Sequence, residues 1–175
     1  MDVSTIASDM NLQSKIHSLI RHVQEVQGEA SRIASSKELK DIRQYLEPLQ
    51  NKYSFIGFSI LNEEGLEIGS QMDQGVGARW LIKTYEGKRL FKLVGLGNTI
   101  ITLPFKSNID LPDREGILSS NRPTILVGAP LYHRTGEFAG VLAFYLRPEA
   151  VFTEIFGISQ FGKSGETYAF DGTGK

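Results

Sequence analysis

An α+β fold, with a helical opening third packed on one face of an antiparallel sheet and short helices on the other, is what these 175 residues predict. Three observations carry that reading. Apolar residues recur at helical spacing through the first third of the chain. Two hairpins follow, within residues 56–70 and 124–146, and strands joined by such tight turns run antiparallel. The stretches between them are polar and broken by glycine, with room for short helices that cover the second face of a sheet.

The helical third reads as two consecutive amphipathic helices. Leu12, Ile16, Leu19, Val23, Val26, Ala30 and Ile33 follow alternating four- and three-residue steps, the seam of a heptad repeat. Gln, Ser, Lys, Arg, His and Glu lie between them, and Gly28 is a mild cost inside the run. The seam ends where Lys37 takes its next position. Ser35 and Glu38 have capping-box spacing, so the helix bends or breaks near 34–36 and a second one starts there. Leu39, Ile42, Leu46 and Leu49 form its stripe, and Pro48 is expected to distort it or mark its exit. A seam this narrow is expected to meet a second copy, giving a homodimer through Leu12, Ile16, Leu19, Val23 and Val26.

The texture changes at Ile56. Ile56, Phe58 and Ile60 alternate with Gly57 and Ser59, a strand with one bulky and one small face. Asn62-Glu63-Glu64-Gly65 turns the chain, and Leu66 to Ser70 returns. Residues 71–90 hold glycine, polar and aromatic residues suited to short helices. Apolar residues return from Phe91 to Phe105, and 108–121 is a polar loop containing Pro112. The second hairpin runs from Thr124 to His133, turns at Arg134-Thr135-Gly136 and returns from Phe138 to Leu146. Val141 to Leu146 is apolar on both faces, which places it centrally in a sheet covered on both sides. Pro148 opens a helix through Val151, Ile155 and Phe156, and Glu166 to Asp171 reads as a final strand before a turn.

Composition narrows the function classes. Nineteen basic and 20 acidic residues give a net charge of −1, with no basic cluster to track phosphates, so nucleic-acid binding is not expected. Cysteine is absent, which removes disulfides, thiolate metal sites and cysteine nucleophiles. No apolar run reaches the roughly 18 residues of a membrane span and no secretory leader is visible, so the spans of a membrane-anchored parent are expected outside this stretch. Gly157 to Ser164 matches the phosphate-loop pattern letter for letter. That loop works between a buried strand and a helix N-terminus, and here a helix precedes it while a glycine-broken segment follows. His17, His22 and His133 have no metal-ligand spacing. No serine, histidine and carboxylate fall into a catalytic arrangement, so an enzyme is not expected.

Three segments carry a resemblance to a known family. Tyr53 to Ile68 has an apolar strand, an acidic turn with glycine and a short returning strand. Gly128-Ala129-Pro130-Leu131-Tyr132, the Gly136 turn and Ala139-Gly140-Val141-Leu142 form the second. The third is Gly162-Lys163-Ser164-Gly165-Glu166-Thr167-Tyr168-Ala169-Phe170-Asp171-Gly172-Thr173-Gly174. Together they resemble Cache domains, the PAS-like extracytoplasmic sensors of bacterial chemoreceptors and sensor kinases. The resemblance implies a helical segment over 1–50, a PAS-like membrane-distal domain over 51–157, and the start of a truncated second module over 158–175. It further implies an extracytoplasmic small-molecule-sensing domain of a transmembrane receptor, without cofactor. The polar loop and Arg147-Pro148-Glu149 are similar to sensors attached to bacterial Ser/Thr kinases.

The same resemblance places a pocket-facing helix at 79–85, where Arg79, Trp80 and Tyr85 supply a guanidinium, an indole and a phenol. An arginine grips a carboxylate bidentately and aromatic rings close around an amine, so the ligand class is a carboxylate- or amine-bearing small molecule. Arg122, Tyr132 and Tyr145 join the candidates. The spaced Arg, Trp and Tyr with a later Asp of amine- and amino-acid-binding Cache domains is not reproduced here. The rival reading is a ligand-free dimerisation module acting through the helical third.

Overall fold

The computed structural model describes residues 3–113 and 115–150. Four helices open the chain: α1 (Val3–Ala7), α2 (Met10–Glu25), α3 (Ala30–Ala34) and α4 (Lys37–Tyr53). Asp9 starts α2 by accepting the backbone N–H groups of Asn11 and Leu12 at 3.0 and 2.9 Å, satisfying two donors that a helix N-terminus leaves free. The expected single run is broken earlier than 34–36 as well. Gln27 and Gly28 take left-handed backbone conformations, with φ of 53° and 74°, and Gly28 N–H returns to Val23 C=O at 2.9 Å. That is how glycine ends a helix rather than continuing one. The second break lies where expected, but Ser36 is the cap, its hydroxyl accepting Leu39 N–H at 3.2 Å. Ser35 instead donates to Ser31 C=O at 2.8 Å. Pro48 does not end α4, which runs on to Tyr53.

The seam is the chain's own core. Leu12, Ile16 and Leu19 are at most 2% exposed, because α2 packs against α4 and lies on the sheet beside Ile33, Leu39, Ile42 and Leu46. The homodimer expected through Leu12, Ile16, Leu19, Val23 and Val26 is therefore not built by those side chains. Val26 is buried and Val23 packs partly buried against the same core. Burial of each such aliphatic side chain stabilises the fold by roughly 1.5–3 kcal/mol, ample reason for the stripe to turn inward.

The strands are β1 (Gly57–Asn62), β2 (Glu67–Ser70), β3 (Ile100–Ile101), β4 (Phe105–Lys106), β5 (Leu111–Pro112), β6 (Leu118–Ser119), β7 (Pro123–Tyr132) and β8 (Phe138–Leu146). The main sheet is antiparallel in the order β2-β1-β8-β7-β3, with β4 also paired to β7, and β5 and β6 form a separate small ladder. The first hairpin thus flanks the last strand. As the doubly apolar run requires, β8 is central, pairing Gly57–Asn62 on one side and Ile125–Tyr132 on the other. A 3-10 turn (Asp73–Gly75) and helices α5 (Trp80–Lys83) and α6 (Tyr85–Val94) follow the first hairpin.

Alternation sorts the two faces. Phe58, Ile60, Val127, Ala129, Leu142 and Phe144 meet α1–α4, whereas Leu61, Leu126, Val141, Ala143 and Tyr145 meet Leu81, Leu90 and Val94 of α5 and α6. Helices on both faces of an antiparallel sheet are the α+β arrangement the sequence predicts. The phosphate-loop match, the third resemblance segment and the rest of the helix opened by Pro148 lie outside the described residues.

Candidate functional site

A cleft of about 330 Å³ opens where three strands end. Ile56 precedes β1, Pro123 begins β7, Arg147 follows β8, and Pro112, Asp113, Glu115, Arg122 and Glu149 complete the lining. Asp113 organises it. Its Oδ1 accepts the N–H groups of Glu115 and Ile117 at 2.9 and 2.8 Å, and its Oδ2 takes Nη2 of Arg122 at 2.9 Å. The Ile117 N–H above all, with the Glu115 N–H and the Arg122 charge, holds the Asp113 carboxyl below its usual range. Asn121, at φ 61°, bends the chain just before Arg122, whose Nε also donates to the Ser119 hydroxyl. Arg147 is half-buried. Its Nη2 donates to the Asp113 carbonyl at 2.8 Å, while its buried Nε has no partner among the described residues.

A second polar group lies on the face covered by α5 and α6. Glu67 of β2, Ser59 of β1 and Tyr145 of β8 stand side by side on three neighbouring strands. The Ser59 hydroxyl donates to Glu67 Oε1 at 2.7 Å and lies 2.8 Å from the Tyr145 hydroxyl. Glu67, Ser59 and Ser70 are at most 1% exposed, and Glu67 Oε2 has no partner among the described residues. Burial pushes the Glu67 carboxyl up to about 7, against the pull of hydrogen bonds from Ser59 and Ser70. Burial first, and the nearby Glu67 charge second, raise the Tyr145 phenol as well.

The six residues expected from the sequence are spread widely. Arg122 lines the cleft. Tyr145 lies in the buried polar group, joined to the cleft through main chain: Ile56 N–H donates to Tyr145 C=O at 2.9 Å. Arg79 caps the first turn, with Nη1 on Glu64 C=O at 2.6 Å and Nη2 on the Glu64 carboxylate at 3.3 Å. Trp80 is partly exposed under the Lys83 ammonium, 4.9 Å from its ring centroid. Tyr85 projects into solvent, and Tyr132, partly exposed, offers its carbonyl to His17 Nε2 at 3.1 Å. Sequence reasoning did not place Asp113, Arg147 or Glu67 in the site. Glu67 did leave a signal, as a charged residue inside a short strand between Leu66 and Ile68.

No protein-family model matches the sequence, and comparison with curated proteins gives no match. Solved structures give matches at low identity. The Escherichia coli DcuS sensor domain is 15% identical, covers 83% of this chain and 96% of its own, and superposes with a TM-score of 0.48. The ligand-binding domain of the Pseudomonas aeruginosa amino acid chemoreceptor PctC, in complex with GABA, is 17% identical, with 89% and 68% covered and a TM-score of 0.46. The sensory domain of the Campylobacter jejuni chemoreceptor Tlp3, with isoleucine bound, is 14% identical, with 83% and 60% covered and a TM-score of 0.44. These are likenesses of chain path. Among the described residues, no helix is long and apolar enough to cross a membrane.

Proposed function

We propose that this chain is the extracytoplasmic small-molecule-sensing domain of a membrane receptor, and that the cleft at the ends of β1, β7 and β8 holds the ligand. The observation that carries this is Arg147, half-buried in the cleft wall with an unmatched Nε. An unsatisfied buried donor costs roughly 1–3 kcal/mol, and a ligand oxygen removes that cost. Arg122 stands beside it, and Asp113, Glu115 and Glu149 put carboxylates on the same wall. A cleft offering guanidinium and carboxylate together with the apolar Ile56, Pro112 and Pro123 suits a small ligand bearing both a carboxylate and an ammonium group.

The cleft lies where the chain leaves the sheet. A ligand that binds one arrangement of Arg147 and Glu149 more tightly than another shifts the populations of the two. The segment after β8 then carries the difference onward to an effector across the membrane.

Thermal-shift screening of the full chain with amino acids, organic acids, amines and purines tests the reading. A stabilising ligand is expected among the first three classes, since a ligand at 100 times its Kd raises stability by about 2.7 kcal/mol. Arg147→Gln should abolish that shift while Arg79→Ala preserves it. A blank across all classes, or a shift that survives Arg147→Gln, contradicts the assignment.

A further inference from the structure

The buried carboxyl group of Glu67, on the edge strand β2, does not line the cleft. Glu67 is 0% exposed, and among the described residues no cation comes within ion-pair distance of it. The surroundings are neutral on every side. Ser59 comes from β1, Ser70 from β2 itself and Tyr145 from β8. From above, the 3-10 turn closes so tightly that a Cβ on Gly75 would lie 2.6 Å from Glu67 Oε1 and 2.7 Å from Ser70 Oγ. Of the charged side chains on the elements around it, Arg32 of α3 lies 4.0 Å from Glu29, Arg79, just past the covering segment, pairs with Glu64 of the first turn, and Arg43 of α4 pairs with Asp73 of the 3-10 turn. Arg43 satisfies Asp73 at 2.7 Å and the Ser70 carbonyl at 2.8 Å. Glu67 C=O and N–H also hold the covering segment, to Gly77 N–H at 2.8 Å and Ala78 C=O at 2.9 Å.

We propose that Glu67 is a proton-binding switch: protonated, it locks residues 71–78 over the first hairpin and Tyr145; ionised, it loosens them. A carboxylate there has Ser59 and Ser70 as donors and an Oε2 with none, in a place from which water is excluded. The neutral acid fits that place and the anion does not. Ionisation is relieved by letting water reach Oε2. The cover that closes on Glu67 at Gly75 is the loop held by Glu67's own main chain, and lifting it loosens Ser59 and Tyr145 on the two strands that flank the cleft.

The direction follows from proton linkage. The folded carboxyl titrates at about 7 and the unfolded one at 4.5, so between those values the folded chain holds the extra proton. Stability is then full below pH 4.5 and falls as pH rises through 7, with the unfolding constant increasing by up to about tenfold per pH unit near the middle of that window. The test uses the full chain without ligand. The wild type's resistance to denaturant should weaken as pH rises from 5 to 8, and Glu67→Gln should remove that component. Carboxyl 13C shifts of the wild type read the same group directly, whatever the variant's stability. Titration of Glu67 near neutrality, with amide exchange at 71–78 accelerating over the same range, supports the switch. Titration near 4.5, or an unchanged pH dependence in Glu67→Gln, overturns it.

Discussion

The two faces of the sheet are built on different principles. Toward α1–α4, Phe58, Ile60, Val127, Leu142 and Phe144 interlock with leucines and isoleucines, and Phe55 stacks on Phe144 with ring centroids 4.3 Å apart. Toward α5 and α6, the same strands present Gly57, Ser59, Ser70, Gly128 and Ala143, with Glu67 and Tyr145 buried among them. One face holds the domain together by volume. The other trades large apolar groups for small and polar ones, and it is continuous at one end with the cleft. The proposed cleft and the Glu67 group both lie on the second face, so mutations on the two faces should read out differently.

The division breaks most visibly if Phe144→Ala is mild. Removing a fully buried ring that stacks on another should cost about 3–5 kcal/mol, measured by urea denaturation, with no change in the pH dependence. A smaller effect comes from adding volume to the other face. A Cβ on Gly128 would lie 2.8 Å from Leu90 Cδ2, with two more Leu90 carbons at 3.1 Å, so Gly128→Ala should cost about 1–3 kcal/mol by overpacking α6 against β7. The smallest is at the edge of the helical layer. Asp9 accepts the Leu12 and Asn11 N–H groups and the Tyr45 hydroxyl, at 2.7 Å for the last. Asp9→Ala should cost about 0.5–2 kcal/mol as a lost cap. The Leu12 N–H first, then the Tyr45 hydroxyl, lowers the Asp9 carboxyl, so this contribution is present above its ordinary 3.8 and fades as pH falls below it. That is opposite in sign to Glu67, and an acid titration of Asp9→Ala against wild type separates the two.

The hydrophobic pattern made the helical layer and both hairpins legible, because alternation at 56–60 and a doubly apolar run at 141–146 leave few ways to cover a sheet. Strands β3 to β6 were not legible. Each is two residues long and exists through pairing with β7 or with each other, which no local pattern encodes. The left-handed turn at Gln27-Gly28 was signalled by Gly28 and read instead as a tolerated helix glycine. The heptad seam pointed to a second copy because sequence spacing does not say which surface a stripe meets; here α4 and Gly69 of β2 meet it. Gly69 has no side chain, and a Cβ there would lie 3.1 Å from Leu19 and 3.3 Å from Leu39. The cleft was legible only in Arg122. Arg147 and Asp113 are 34 residues apart and joined by one side-chain-to-carbonyl hydrogen bond, beyond any motif.

Arginine side-chain 15Nε–1Hε spectra of the full chain, recorded while titrating the ligand found by thermal shift, test the central claim most directly. The cleft assignment predicts that the Nε–H signals of Arg147 and Arg122 move with saturation, while Arg79 and the indole of Trp80, the one tryptophan, stay in place. Movement at Arg79 and Trp80 with Arg147 unchanged would contradict it and put the ligand beneath α5 instead.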